Sequence, residues 1–128
     1  MLNNNVMVCV TRQKNCERLI EFGKTMASDL DGKLYVVHVA KTGTNFLGNP
    51  DESEALECLY QASKNAGADM AVLRSNNIVD TIISFAKENN VSHAILGEAP
   101  KSKNKNRTDI AEYLKSLLPD VTFEIVPA

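Results

Sequence analysis

A basic loop between a short apolar run and a helical pattern is the part of the chain whose residue types could bind an anion. The apolar run Ala94–Leu96 ends at Gly97, and a helical pattern starts at Thr108. A strand, a glycine, a loop and a helix N-terminus build anion sites in α/β proteins, because the first N–H groups of a helix have no partner within it. Between the glycine and the helix, a positive charge recurs at every second position, at Lys101, Lys103, Lys105 and Arg107.

Acidic residues border the same loop and oppose an anion there. Glu98 precedes the basic residues, and Asp109 and Glu112 follow them. The spacing of Asp109 and Glu112 is also that of a capping pair, which would occupy the helix N–H groups that an anion needs. The loop is therefore predicted either to bind an anion or to be an ordinary solvated connector, and both interpretations stay open.

Apolar segments alternate with helical patterns along the whole chain, which predicts an α/β fold. Continuous apolar runs are typical of strands that are covered on both faces, and strands separated by helices form a parallel sheet. We therefore predict a three-layer, doubly wound, five-stranded parallel sheet of Rossmann-like type in a single domain spanning residues 1–128. The predicted strands are Val6–Val10, Lys33–Ala40, Asp69–Leu73, His93–Gly97 and Val121–Val126.

A doubly wound sheet binds its ligand where the strand order reverses, at the carboxyl ends of the strands. If the first strand is central, the crevice lies between the loop after it and the loop after Gly97. Arg12 and Lys101 or Lys103 would supply charge there. The candidate ligand-binding residues lie in these two loops and are Thr11, Arg12, Gln13, Gly97, Lys101, Ser102, Lys103 and Arg107.

The cysteines and histidines favour structural roles. The chain has 3 cysteines, an odd and unclustered set that predicts reduced thiols rather than a disulfide framework. Cys9 falls in a strand, and Cys16 and Cys58 fall on the predicted apolar faces of helices, so all three are expected to be small buried hydrophobes. His38 lies within an apolar strand, which favours a hydrogen-bonded core histidine over a general base. Neither histidine has metal-ligand spacing, so no metal site is expected.

Composition excludes several classes of function. The net charge is −2, so the chain is not expected to bind DNA or RNA generally. No apolar run is long enough to span a membrane, and the first residues lack the pattern of a signal peptide, so a cytoplasmic chain is expected. No nucleophile elbow, P-loop or metalloprotease motif is present, which favours a non-enzymatic role.

A series of short motifs resembles a universal stress protein domain, and most closely the version found in KdpD-type potassium-responsive sensor histidine kinases. The motifs are Cys16–Ile20 (CERLI), Val36–Val39 (VVHV), Ile95–Gly97 (ILG) and the closing pair Val126–Pro127, in that order. The resemblance covers essentially the whole chain. It implies a non-enzymatic regulatory or sensory domain, either cut from a sensor kinase or standing alone.

Nucleotide-binding members of the family differ from this chain at informative positions. They carry further glycines after the one that ends the fourth strand, whereas Pro100 stands where the second of these would be. They also carry an acid after the first strand, where this chain has Thr11 and Arg12. Some KdpD-type domains bind a cyclic dinucleotide, and Ala111–Tyr113 resembles part of the motif that those domains use. The resemblance therefore leaves three alternatives open: no ligand, an adenine nucleotide or a cyclic dinucleotide.

The last predicted strand is also the predicted self-contact. Residues Val121 to Val126 alternate in polarity, which is typical of a strand at a sheet edge. An unpaired edge can pair with a second copy of the chain. The resemblance likewise implies a homodimer, and in a sensor kinase the neighbouring domains would be further partners.

Overall fold

The computed structural model describes residues 4–10, 16–43, 51–97 and 114–126. Within these residues it contains five strands and three full helices, and residues 114–117 form a further helical turn. In chain order the elements are β1 (Asn5–Cys9), α1 (Cys16–Leu30), β2 (Leu34–Lys41), α2 (Glu52–Asn65), β3 (Asp69–Ser75), α3 (Ile78–Glu88), β4 (Val91–Gly97) and β5 (Thr122–Val126).

The strands form one sheet in the order β3-β2-β1-β4-β5, and every neighbouring pair is parallel. The predicted fold class is therefore confirmed, and β1 is the central strand. Its Val6, Met7 and Val8 are completely buried, because helices cover both faces of the sheet at this strand. β5 lies at one edge of the sheet, as the alternation of its sequence predicts.

Two cores lie on opposite faces of the sheet. Successive side chains of a strand point to opposite faces. Val6 and Val8 therefore join a core with α1 and α2, whereas Met7 and Cys9 join a core with α3 and the helical turn that begins at Leu114.

Every strand differs from its predicted bounds by one or two residues at one end or at both. β3 continues to Ser75, two residues beyond its predicted end at Leu73, because Arg74 and Ser75 pair with the end of β2. β4 starts at Val91, which pairs with Asn5 before the register shifts by one residue. β2 runs one residue further than predicted, to Lys41.

The predicted burial of Cys58 is wrong. The buried positions of α2 are Ala55, Leu59 and Ser63, which are four residues apart and form a narrow stripe. Ser63 can lie in this stripe because its hydroxyl donates a hydrogen bond to the Leu59 carbonyl at 2.7 Å. Cys58 lies beside the stripe and is exposed. Cys9 and Cys16 are buried, as predicted.

Helix ends follow the capping residues that the sequence indicates. The Asn77 side chain accepts a hydrogen bond from the backbone N–H of Asp80 and caps α3. Asp51 caps α2 in the same way through Glu54. After α2, Gly67 has a φ of 70°, the left-handed conformation that glycine adopts without strain.

Candidate functional site

The crevice of this fold lies between the carboxyl ends of β1 and β4. From β1 the chain passes through α1 to β2 on one side, and from β3 it returns through α3 to β4 on the other side. The two connections leave opposite sides of β1, so the loops that follow β1 and β4 diverge and open a gap. Val10 and Gly97 mark the two strand ends that border this gap.

Gly97 is exposed at the end of β4, where it pairs with Val126 of β5. A Cβ atom added to Gly97 would lie 3.4 Å from the nearest side-chain atom of Leu19, which is an ordinary contact. Neither the backbone conformation nor the packing of the described residues therefore requires glycine here. The missing side chain leaves space above Leu19, so a ligand in the crevice could approach the backbone of β4 closely.

His38 ties the end of β2 to the end of β1. Its Nδ1 lies 2.7 Å from the Val10 carbonyl oxygen, and the residue is only 4% exposed. Burial lowers the pKa of His38 because it disfavours the imidazolium; the Val10 carbonyl acts in the opposite direction, and the positive charge of Arg74 lowers the pKa further. A neutral imidazole that donates its Nδ1–H to Val10 fits this environment. The predicted role as a hydrogen-bonded core histidine is confirmed.

An ion pair lies at the carboxyl end of β3. Arg74 donates to the Glu52 carboxylate at 2.6 Å, and the two side chains are 39% and 36% exposed. Glu52 lies in the first turn of α2, where a negative charge also suits the helix dipole. The pair places a cation near the crevice but matches it with an anion. In this part of the chain the ion pair therefore adds no net positive charge for a phosphate group.

Arg74 is a residue that the sequence analysis missed. The predicted end of β3 at Leu73 hid the fact that the strand continues through Arg74, toward the same end of the sheet as His38. The available signal was strand length, because the predicted β3 (Asp69–Leu73) is much shorter than the predicted β2 (Lys33–Ala40).

Of the predicted ligand-binding residues, the structure places Gly97 at the crevice. The other seven lie outside the described residues and stay predictions. They are Thr11, Arg12, Gln13, Lys101, Ser102, Lys103 and Arg107. The acidic residues Glu98, Asp109 and Glu112 and the proline Pro100 also lie outside the described residues.

A shallow groove lies at the opposite end of the sheet. Lys24, Ser28, Lys33 and Asp69 are among its lining residues. Lys33 and Asp69 form an exposed ion pair across it at 3.7 Å. Because α1 and α2 both end beside this groove, their negative helix ends oppose an anion here. The groove is therefore an unfavourable place for a phosphate group.

Two other kinds of site were sought in the part of the chain that the structure describes. Residues 4–10, 16–43, 51–97 and 114–126 contain no group of three or more histidine, cysteine or acidic residues arranged to hold a metal ion. Among the helices described in these ranges, none is long and apolar enough to cross a membrane.

Solved structures of universal stress proteins have the same fold. A universal stress family protein from Burkholderia pseudomallei superposes with a TM-score of 0.67 at 15% identity, and covers 99% of this chain and 98% of its own. A universal stress protein in complex with cAMP gives a TM-score of 0.66 at 14% identity over 100% of this chain and 98% of its own. The Archaeoglobus fulgidus protein in complex with dAMP gives 0.60 at 17% identity over 99% and 98%.

Sequence comparison adds a longer relative. The putative sensor protein KdpD of Synechocystis sp. is 25% identical over 127 residues, which are 98% of this chain and 34% of that protein. This chain thus spans about a third of the length of the curated relative. The family model for the universal stress protein family matches residues 3–113. Because that match covers most of the chain, the chain belongs to the universal stress protein family.

Proposed function

We propose that this chain is a non-catalytic regulatory domain that acts as the corresponding part of a KdpD-type sensor kinase does. The observation that carries the proposal is the alignment with the Synechocystis putative sensor protein, which runs over 98% of this chain at 25% identity. The solved universal stress proteins share the fold at lower identity, from 14% to 19%. The chain is therefore nearer in sequence to a sensor segment than to these free-standing proteins.

A domain replacement tests this proposal. The stretch of the Synechocystis sensor that aligns with this chain is replaced by this chain, and autophosphorylation of the sensor is measured at low and high potassium. We expect the potassium response to be kept. The control carries the Burkholderia pseudomallei protein in the same place, which has the same fold at a TM-score of 0.67. Loss of the response with this chain, or an equal response with the control, contradicts the proposal.

A second candidate function is the binding of an adenine nucleotide in the crevice between β1 and β4. Two proteins of the same fold are complexes with cAMP and dAMP. The open space above Leu19 at Gly97 supports the same location here. Arg12 and Lys101 or Lys103 would bind the phosphate by charge, and the Ser102 hydroxyl would donate a hydrogen bond. A cyclic dinucleotide is the alternative ligand.

Thermal unfolding with ATP, AMP, cAMP and cyclic dinucleotides tests the second candidate. A ligand at 100 times its Kd stabilises a protein by about 2.7 kcal/mol. Each charge-assisted contact contributes about 1.5–3 kcal/mol, so Arg12→Ala and Lys103→Ala should each weaken binding by about tenfold or more. Neither change should cost more than about 1 kcal/mol of stability.

Lys24→Ala is the matched control for these two variants. It removes one positive charge, but at the groove on the opposite end of the sheet. Equal affinity in Arg12→Ala, Lys103→Ala and Lys24→Ala would place the ligand elsewhere. No thermal shift with any nucleotide would remove the second candidate and leave the regulatory proposal standing.

We further propose that β5 pairs with β5 of a second copy. β5 is an edge strand, and Ile125 on it is 39% exposed, whereas Phe123 is partly buried against the core beside α3. Ile125→Lys should therefore disrupt a dimer without harming the fold. Phe22→Lys is the control, because Phe22 is a similarly exposed apolar residue (42%) on α1. Light scattering that gives a monomer for the wild type at high concentration contradicts this proposal.

A further inference from the structure

Two cysteines, Cys16 and Cys58, lie on neighbouring helices on one face of the sheet. Cys16 is the first residue of α1 and is 3% exposed, whereas Cys58 lies on α2 and is exposed. The two helices pack against each other on the same face of the sheet. One thiol of the pair is therefore open to solution and the other is shielded from it.

Helix geometry places Cys58 beside the surface that Cys16 packs into. Ala55 and Leu59, its neighbours on α2, are completely buried in the same core cluster as Cys16. Successive residues of a helix are rotated by about 100°, so Cys58 stands at the border of this buried stripe rather than opposite to it. The Cys58 sulfur is also one of the groups that raise the pKa of the Cys16 thiol, and such an influence requires the two groups to lie near each other.

The three cysteines differ in how readily an oxidant can reach them. Burial raises the pKa of Cys9 to about 12, and Cys9 lies in the other core, across the sheet from Cys16. Burial also raises the pKa of Cys16, and the Glu17 carboxylate and the Cys58 sulfur add to this shift. Reactive cysteines are the accessible ones that can form a thiolate. Cys58 is therefore the thiol that an oxidant meets first, and Cys16, on the helix that packs against α2 on the same face of the sheet, is its candidate partner.

We propose that the contact between α1 and α2 is a redox modification site, at which Cys58 and Cys16 form a reversible disulfide when the chain meets hydrogen peroxide. Cys58 Sγ attacks one peroxide oxygen; the O–O bond breaks, an S–O bond forms, and water leaves behind a sulfenic acid. Cys16 Sγ then attacks the oxidised sulfur; the S–S bond forms, the S–O bond breaks, and a second water leaves. Two thiols lose two electrons in total, and the peroxide gains them.

The disulfide would change the geometry at the start of α1. A disulfide holds its two Cα atoms about 4.4–6.8 Å apart, so it fixes the N-terminus of α1 against α2. That N-terminus follows the end of β1, which borders the crevice. Oxidation would thus act on the same end of the sheet as a ligand. The inference does not depend on nucleotide binding, since it rests on the two cysteines alone.

Intact mass and peptide mapping of the peroxide-treated chain test the proposal. We expect the wild type to lose two hydrogen atoms, to yield a linked peptide that joins Cys16 and Cys58, and to regain both thiols with a dithiol reductant. Cys9→Ser should behave as the wild type does. Cys16→Ala should stop at a Cys58 sulfenic acid that a dione reagent traps, and Cys58→Ser should keep its Cys16 thiol under the same treatment.

The variants also separate the proposal from an effect on folding. Circular dichroism of Cys16→Ala and Cys58→Ser establishes that each is folded, and Cys58→Ser changes an exposed side chain, so it remains a valid test if Cys16→Ala unfolds. A Cys58–Cys58 link between two chains overturns the proposal, and so does a link that involves Cys9. Oxidation of Cys58 to sulfinic acid in the wild type, with the Cys16 thiol intact, overturns it as well.

Discussion

At the amino end of the sheet, the side chains of Asn4 and Asn5 bond the start of β1 to the ends of α1 and α3 and to the residue before β2. Asn5 Nδ2 donates to the Asn89 carbonyl at 2.7 Å, and Asn5 Oδ1 accepts from the Lys33 backbone N–H at 3.3 Å. Asn4 Nδ2 donates to the Leu30 carbonyl at 3.0 Å. At the carboxyl end, the buried His38–Val10 bond links β2 to β1, and the exposed Arg74–Glu52 pair links β3 to α2.

The two ends also treat glycine differently. At the amino end, a Cβ on Gly32 would overlap the backbone of Asn4, so no side chain fits. At the carboxyl end, a Cβ on Gly97 would make an ordinary contact with Leu19. The difference indicates that close packing at Gly32 stabilises the amino end. At Gly97, the described residues leave room for a side chain, so stability does not require glycine there. The following predictions test this contrast, from the largest expected effect to the smallest.

Gly32→Ala should be the most destabilising of the changes considered, because a backbone cannot rotate away from the added methyl group as a side chain can. We expect this change to lower the free energy of unfolding by about 3 kcal/mol, at the upper end of the usual range for overpacking. Gly97→Ala is the matched control at the other end and should stay within about 0.5 kcal/mol of the wild type. Urea unfolding measures both. Equal losses in the two variants would contradict the contrast between the ends.

Asn5→Ala should cost about 2 kcal/mol, since it removes two hydrogen bonds and leaves the partly buried Asn89 carbonyl without its side-chain donor. Gln61→Ala removes an amide whose only hydrogen bond given by the structure is the exposed one to Glu57, so it should cost no more than about 0.5 kcal/mol. Urea midpoints of the two variants provide the comparison. A loss at Asn5 as small as that at Gln61 would mean that the amino end does not depend on these bonds.

Stability should depend on pH through His38. Its pKa in the folded chain lies below the usual histidine value of 6.5, so between these two values the unfolded chain binds more protons than the folded chain. The stabilisation is therefore fully present above pH 6.5 and is lost as the pH falls through the folded pKa, with a slope of at most about 1.4 kcal/mol per pH unit for one proton.

Urea unfolding at a series of pH values checks this slope. His38→Gln should be less stable at neutral pH and should lack this part of the pH dependence. His93→Gln, which keeps His38, is the control. An unchanged slope in His38→Gln would show that other groups cause the pH dependence.

Much of the fold could be predicted because continuous apolar runs such as the one at Val6–Val10 are typical of strands buried on both faces. The caps Asp51 and Asn77 are local features as well, since each side chain accepts from a backbone N–H three residues further on. The one-residue shift between β1 and β4 and the extension of β3 could not be predicted in this way. Both depend on which strand lies alongside, and that information is not local.

The site could be predicted less completely than the fold. The position of the crevice follows from the strand order, and Gly97 lies there as expected. The Arg74–Glu52 pair was missed because it joins β3 to α2 across 22 residues. Cys58 was assigned to the wrong surface because the buried stripe of α2 is narrower than its apolar sequence suggests, with Ser63 taking a buried position.

Calorimetric titration with AMP of the wild type, Gly97→Val and Asn5→Ala tests most directly the claim that the carboxyl end binds and the amino end stabilises. Gly97→Val fills the space above Leu19 and should weaken binding by about tenfold or more, since each 1.4 kcal/mol of lost contact corresponds to a factor of ten. Asn5→Ala should bind AMP as the wild type does, despite its lower stability. Wild-type affinity in Gly97→Val together with weakened binding in Asn5→Ala would contradict the account, and a wild type that binds no AMP would remove AMP as the ligand of the second candidate function.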